Sequence, residues 1–166
     1  MATSFYLDAS ALAKRYVPET GSPQVDAILD ATPPRRIIVL NVGAGEVVSI
    51  FVRKRNAGLL SASDFGQALA GFEAEIIAAA RVTKLPVTNR LAWSSFPLIA
   101  AHSINSSDAV LLKSALNLAR RLRRASDDLV LVASDQRLLG AAHAEGLSTF
   151  NPESQDHAVL AVFMGP

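Results

Sequence analysis

Short apolar runs alternate along this chain with longer stretches in which apolar residues recur every three or four positions. Phe5-Tyr6-Leu7, Arg36 to Leu40 (RIIVL) and Leu129 to Ala133 (LVLVA) are too short for helices and rich in β-branched or bulky side chains, so they predict strands buried on both faces. Leu147 to Phe150 predicts a last short strand, and Val82 to Val87, interrupted by Pro86, an edge strand. The intervening segments predict helices over Ala9 to Tyr16, Gln24 to Asp30, Asn41 or Gly43 to Asn56, Ser61 to Arg81, Arg90 to His102, Ser106 to Arg124 and Gln136 to Glu145. Ser22 is the expected N-cap of the second helix with Pro23 at N1, Ser106 or Ser107 caps the long helix, and Gly146 is placed as a C′ residue. Strands joined by helices imply an α/β fold: a mostly parallel central sheet of four to five strands with helices on both faces. Residues 1–152 are expected to form one domain, and residues 153–166 a C-terminal tail with a final helix packed on the body.

Composition narrows the chemistry. Half of the 166 residues are hydrophobic, enough for a two-sided core in one domain. No cysteine is present, which excludes disulfides, thiolate metal sites and cysteine nucleophiles and agrees with a cytoplasmic location. The N-terminus lacks a basic segment followed by an apolar one, and no apolar run approaches the ~18 residues of a membrane span. Net charge is +1, so nucleic-acid binding cannot rest on global charge, but the basic residues cluster at Lys14-Arg15, Arg53 to Arg55 and Arg120 to Arg124.

Four acids fall where strands hand over to helices. Asp8 and Asp135 follow apolar runs directly, Glu46 follows IIVLNVGAG, and Asp108 opens the long helix after HSINSS. In a parallel sheet the carboxyl ends of the strands share one edge, and ligands bind there. Carboxylates gathered on that edge repel one another unless a hard divalent cation, Mg²⁺ or Mn²⁺, neutralises them. Asp8 and Asp135 are the expected central ligands because each ends a strand; Glu46 and Asp108 reach in from helices. Ser10 and Ser134 are the expected donors that orient the carboxylates. Histidines 102, 143 and 157 are scattered and none ends a strand, so a His/His ribonuclease site is not expected.

The ordered set YLDASALAKRY, GEVVSIFVRKR, SSDAVLLKSAL and LVASDQRLLGAAHAEGL followed by FNP resembles PIN-domain proteins, from about Phe5 to Pro152. The small single-domain bacterial members are mostly VapC-type toxin ribonucleases. The resemblance implies a single PIN-like domain and places the four metal-binding, catalytic acids at Asp8, Glu46, Asp108 and Asp135. It implies a Mg²⁺- or Mn²⁺-dependent endoribonuclease leaving 5′-phosphate and 3′-hydroxyl ends, acting as the toxin of a toxin–antitoxin pair. The partners it implies are RNA, a small antitoxin whose Arg or Lys could pair with the acids, and a second copy of the chain, for which the apolar helices between Phe51 and Ile77 could serve.

Each residue also has a plainer reading. Asp8, Asp108 and Asp135 stand at helix starts, where carboxylates cap free N–H groups and favour the helix dipole. Glu46 can be a solvated helix residue, and Ser10 and Ser134 local caps. Lys14 and Arg15, near the proposed site, are candidate RNA contacts. The Arg120–Arg124 cluster reads more readily as a solvated helix face. Trp93 and Phe96 read as core or interface anchors. The alternative function is a catalytically silent PIN-fold binding module working through protein or RNA contacts, against which the intact acidic quartet argues.

Overall fold

The computed structural model describes residues 2–165. Met1 and Pro166, the outer ends of the two expected ranges, lie outside them. Five strands form one sheet in the order β3-β2-β1-β4-β5, every pairing parallel. They are β1 (Thr3–Leu7), β2 (Ile37–Leu40), β3 (Thr83–Leu85), β4 (Asp128–Val132) and β5 (Ser148–Phe150). β3 is the edge strand that Pro86 suggested, since a proline there removes no ladder donor from a central strand.

Side chains alternate across this sheet. Phe5, Leu7, Ile37, Val39, Val130 and Val132 enter one core, and Tyr6, Ile38, Leu40, Leu129 and Leu131 the other. The period of two, with both faces apolar, is why these runs are continuous in hydrophobicity. Helices α1 (Ala9–Leu12), α2 (Ser22–Ala31), α3 (Asn41–Asn56), α4 (Ala62–Phe72) and α8 (His157–Met164) cover the first face. Helices α5 (Asn89–His102), α6 (Ser106–Arg124) and α7 (Gln136–Ala144) cover the second. A 3₁₀ turn, Ala13–Arg15, extends α1, and a π turn, Glu73–Ile77, extends α4. The C-terminal tail is helical and anchored: Leu160 is buried and Phe163 meets the ring of Phe150 edge-on.

Local chemistry explains most helix starts, with two corrections. The N-cap of α2 is Gly21, at φ +91°, and Ser22 is already helical. Its hydroxyl donates to the Lys14 carbonyl and accepts from the Glu19 N–H, so it is committed elsewhere. The N-cap of α6 is Asn105, whose side-chain oxygen accepts from the Asp108 N–H at 2.8 Å and from the Ser107 hydroxyl at 2.9 Å. Gly146 closes α7 at φ +78°, as expected for a C′ residue. Trp93 and Phe96 do not enter the core; they are 66% and 57% exposed on the outer face of α5.

Candidate active site

The strand order creates the site. From β1 the chain builds outward through β2 to β3, then returns to place β4 and β5 on the other side of β1. The connections therefore diverge between β1 and β4, and a crevice opens at their carboxyl ends. β1 and β4 are paired up to Leu7 and Val132, and the Asp8 N–H continues the ladder to the Val132 carbonyl at 2.9 Å. Asp8 and Asp135 stand at the two lips of that crevice.

Each lip is stiffened by its own side chain. One oxygen of Asp8, Oδ2, accepts from the Ser10 N–H at 3.0 Å and the Ser10 hydroxyl at 2.6 Å. Asp135 is the N-cap of α7, its Oδ1 accepting from the N–H groups of Arg137 at 2.8 Å and Leu138 at 3.1 Å. Both aspartates thus do cap helices. In both, capping occupies one oxygen and fixes the direction of the other. Ser10 joins the lips: its oxygen also accepts the Ser134 N–H at 3.0 Å, a contact spanning 124 residues of sequence.

Glu46 and Asp108 arrive from helices that start at the same edge. α3 begins directly after β2, and its buried stripe is Gly43, Val47 and Phe51. Glu46 flanks that stripe and is partly covered. Asp108 lies in the first turn of α6. Its carboxyl is pushed up to about 6, chiefly by burial and then by the charges of Asp8, Asp135 and Glu46. The three other acids are thus near enough to Asp108 for their charges to be felt there, after burial.

The cations are elsewhere. Among the described residues none of the four acids enters an ion pair. Lys14 and Arg15, the candidate RNA contacts, are both paired within the fold. Lys14 is 2% exposed and bonds Glu19 and Glu153 at 2.7 and 2.6 Å. Arg15 pairs with Asp26, Asp30 and Glu75, tying α2 to the π turn. The Arg120–Arg124 cluster sits at the far end of α6 from Asp108, about 18–24 Å away at 1.5 Å per residue. Arg123 there bonds Asp128 and the Gly146 carbonyl.

Among the described residues no three His, Cys, Asp or Glu side chains form a closed group that could hold a metal ion. The four residues are nonetheless all carboxylates, the hard oxygen donors that divalent cations take; among the described residues none is ion-paired, and Asp8 and Asp135 each have one oxygen held in place.

Sequence reasoning missed a second charged group. The buried Lys14 pairs with Glu19 and Glu153, and Lys54 takes the other oxygen of Glu19. Burial works against Glu19, but Lys14 and Lys54 hold its carboxyl below the usual range. Lys14 does the same for Glu153, against burial and with help from Ser134. The spacing from Lys14 to Glu19 was the only sign of this group in the chain, and Glu153 lay beyond the last readable motif.

No family sequence model matches the chain, and no curated protein matches it in sequence. Solved structures do. PAE2754 from Pyrobaculum aerophilum is 16% identical, over 98% of this chain and 98% of that one, with a TM-score of 0.62. Mycobacterium tuberculosis VapC20, described as a Sarcin-Ricin loop cleaving toxin, is 17% identical over 83% of this chain and 95% of that one, with a TM-score of 0.58. A chain of a toxin–antitoxin complex from Klebsiella pneumoniae is 17% identical over 90% of this chain and 98% of that one, with a TM-score of 0.56. The five-stranded parallel sheet, its order and the helices on its two faces are therefore those of a single PIN-like domain with a VapC-like fold.

Proposed function

We propose that this protein is a Mg²⁺- or Mn²⁺-dependent endoribonuclease that hydrolyses RNA phosphodiester bonds, and that it is the toxin of a toxin–antitoxin pair. The observation that carries the reading is the placing of Asp8, Glu46, Asp108 and Asp135 at the carboxyl edge of the sheet with no ion pair to any of them among the described residues. A pure binding surface has no use for four acids that repel one another and that, among the described residues, no basic side chain pairs with. Asp8 and Asp135 would hold the cation, with Glu46 and Asp108 joining directly or through water. The bound ion supplies an activated water and stabilises charge on the phosphate oxygens. The protein's own part is orientation: Ser10 holds the Asp8 carboxylate and ties it to the strand end that carries Asp135.

The choice of RNA is supported by the VapC-like fold and by VapC20, which cleaves the Sarcin-Ricin loop. The toxin–antitoxin complex of similar fold supports a small antitoxin as partner. An antitoxin Arg or Lys placed among these acids would supply positive charge there.

The test is cleavage of a structured RNA pool with added Mg²⁺ or Mn²⁺, by wild type and Asp8→Asn side by side, each with an EDTA control. Cutting by the wild type alone, abolished by EDTA, is the expected result. Equal cutting by both proteins would refute the site.

A further inference from the structure

We infer that the outer face of α5 binds the same face of a second copy of this chain, the two helices antiparallel about a two-fold axis. A helix that covers a sheet normally turns polar and charged side chains outward. α6 does so, exposing Asn117, Arg120, Arg121 and Arg124. α5 does not. No charged residue stands between Arg90 and His102. The helix buries Ser95 and Leu98 on its inner side, while Trp93 and Phe96 stand 66% and 57% exposed on the outer one. Pro97, Ala100 and Ala101 are exposed beside them.

These positions form a seam. Asn89, Trp93, Phe96, Ala100 and Ser103 follow one another at alternating steps of four and three residues, the spacing at which helices pair. Side-chain size falls along the seam, from Trp93 near its start to Ala100 one heptad later. A second α5 laid antiparallel, with the two-fold axis between Phe96 and Pro97, sets each Trp93 over Ala100 of the other copy. Each Phe96 then meets its own counterpart near the axis. A parallel pair would stack Trp93 on Trp93 and leave Ala100 facing Ala100. Large meets small only in the antiparallel arrangement, in which both copies use one patch.

Charge agrees with this pairing. Arg90 is exposed and enters no ion pair among the described residues. The same axis sets it opposite Ser103 of the second copy, where α5 ends and its last carbonyls carry the negative end of the helix dipole.

The area is sufficient for a weak dimer. With aromatic side chains of about 150–250 Å² each, Trp93 and Phe96 leave about 250 Å² in water. Pro97, Ala100 and Ala101, with Asn89 and Arg90 at the rim, extend the face to about 500 Å² per copy. A pair then buries about 1,000 Å², the lower bound for a specific interface. RNA suits this face less well, because beyond Arg90 it offers a phosphate backbone no Lys or Arg. The helices between Phe51 and Ile77 direct Phe51, Phe72 and Ile76 into the core.

The test is sedimentation equilibrium of the full chain, from low micromolar to millimolar concentration, for wild type, Trp93→Ala and Ala100→Glu. Because the chain has no cysteine, Phe96→Cys adds a single thiol that can bridge the two-fold on mild oxidation. Arg120→Cys, on the exposed face of α6, is the control. The expected result is a reversible wild-type dimer whose dissociation constant rises more than about thirtyfold in Trp93→Ala, as for a central aromatic anchor. Ala100→Glu should do the same, and Phe96→Cys should form a disulfide-linked dimer that Arg120→Cys does not. Trp93 and Ala100 lie outside the core, so melting points of their variants at low concentration should match wild type.

A wild type that stays monomeric into the millimolar range overturns the inference. So does a dimer that Trp93→Ala and Ala100→Glu leave unchanged, which would place the contact on another face. Linking of Phe96→Cys no faster than the control also overturns it, because the two-fold would then not pass beside Phe96.

Discussion

Asp108→Asn should make the metal-free protein more stable, the reverse of what losing a structural carboxylate does. Folding raises the Asp108 carboxyl from 3.8 to about 6, first through burial and then through Asp8, Asp135 and Glu46. A rise of roughly two is worth about 3 kcal/mol against the ionised form at most. Asp108 is only half-buried, so solvent screening reduces this to about 1 kcal/mol. Against it stands the loss of an acid from the first turn of α6, worth about 0.5 kcal/mol to the helix. The net gain at pH 7.5 is about 0.5 kcal/mol, or 1–2 °C for a chain of this size.

The pH dependence fixes the cause. Because the folded value lies above the unfolded one, protonation of Asp108 favours folding. Its contribution is fully present below about 4 and is lost as pH rises through about 6. The advantage of Asp108→Asn should therefore shrink between pH 7.5 and pH 5. Added Mg²⁺ should reverse the order, since a cation that binds only the folded state stabilises the protein that binds it better. Thermal melts of both proteins at pH 5 and 7.5, in EDTA and in Mg²⁺, test this. A variant less stable than wild type in EDTA at pH 7.5, or a difference unchanged at pH 5, would refute the crowding argument.

Other outcomes follow from the same geometry. Asp135→Asn should abolish metal-dependent RNA cleavage while leaving the far-ultraviolet circular dichroism intact, because an asparagine oxygen can still cap α7. Ser10→Ala should lower cleavage about tenfold and cost about 1–2 kcal/mol in urea denaturation, since it leaves Asp8 Oδ2 with only the backbone N–H as donor and the Ser134 N–H without its acceptor. Gly21→Ala should destabilise by more than about 1 kcal/mol, because the residue sits at φ +91° against the Pro152 backbone; a neutral result would contradict that packing. Phe51→Ala should cost about 3–5 kcal/mol, because Phe51 is fully buried and meets Tyr16 and Phe72 edge-to-face.

The four acids were legible because each follows a local event that sequence records, a strand ending or a helix beginning. Asp8 after FYL and Asp135 after LVLVAS needed only the rule that parallel strands point their carboxyl ends to one edge. The strands were legible for a related reason, since both faces of β1, β2 and β4 are buried and only short runs of large apolar residues satisfy that. Helix caps were less so: Ser22 and Ser106 suit a cap by type, but Gly21 and Asn105 took the positions once Ser22 was drawn to Lys14 and Glu19.

What only the tertiary structure decided is where charge goes. Lys14, a natural RNA contact when seen beside Asp8 in sequence, lies inside the protein because Glu153, 139 residues away, meets it there. Trp93 and Phe96, natural core residues by composition, face outward because Ser95 and Leu98 occupy the buried side of α5. Periodicity along one element determines its faces, but it carries no information on which distant side chain will stand opposite. Sequence by itself therefore determined the sheet and the edge at which the four acids stand. The pairing that buries Lys14 against Glu153 was settled by contacts between segments far apart in the chain.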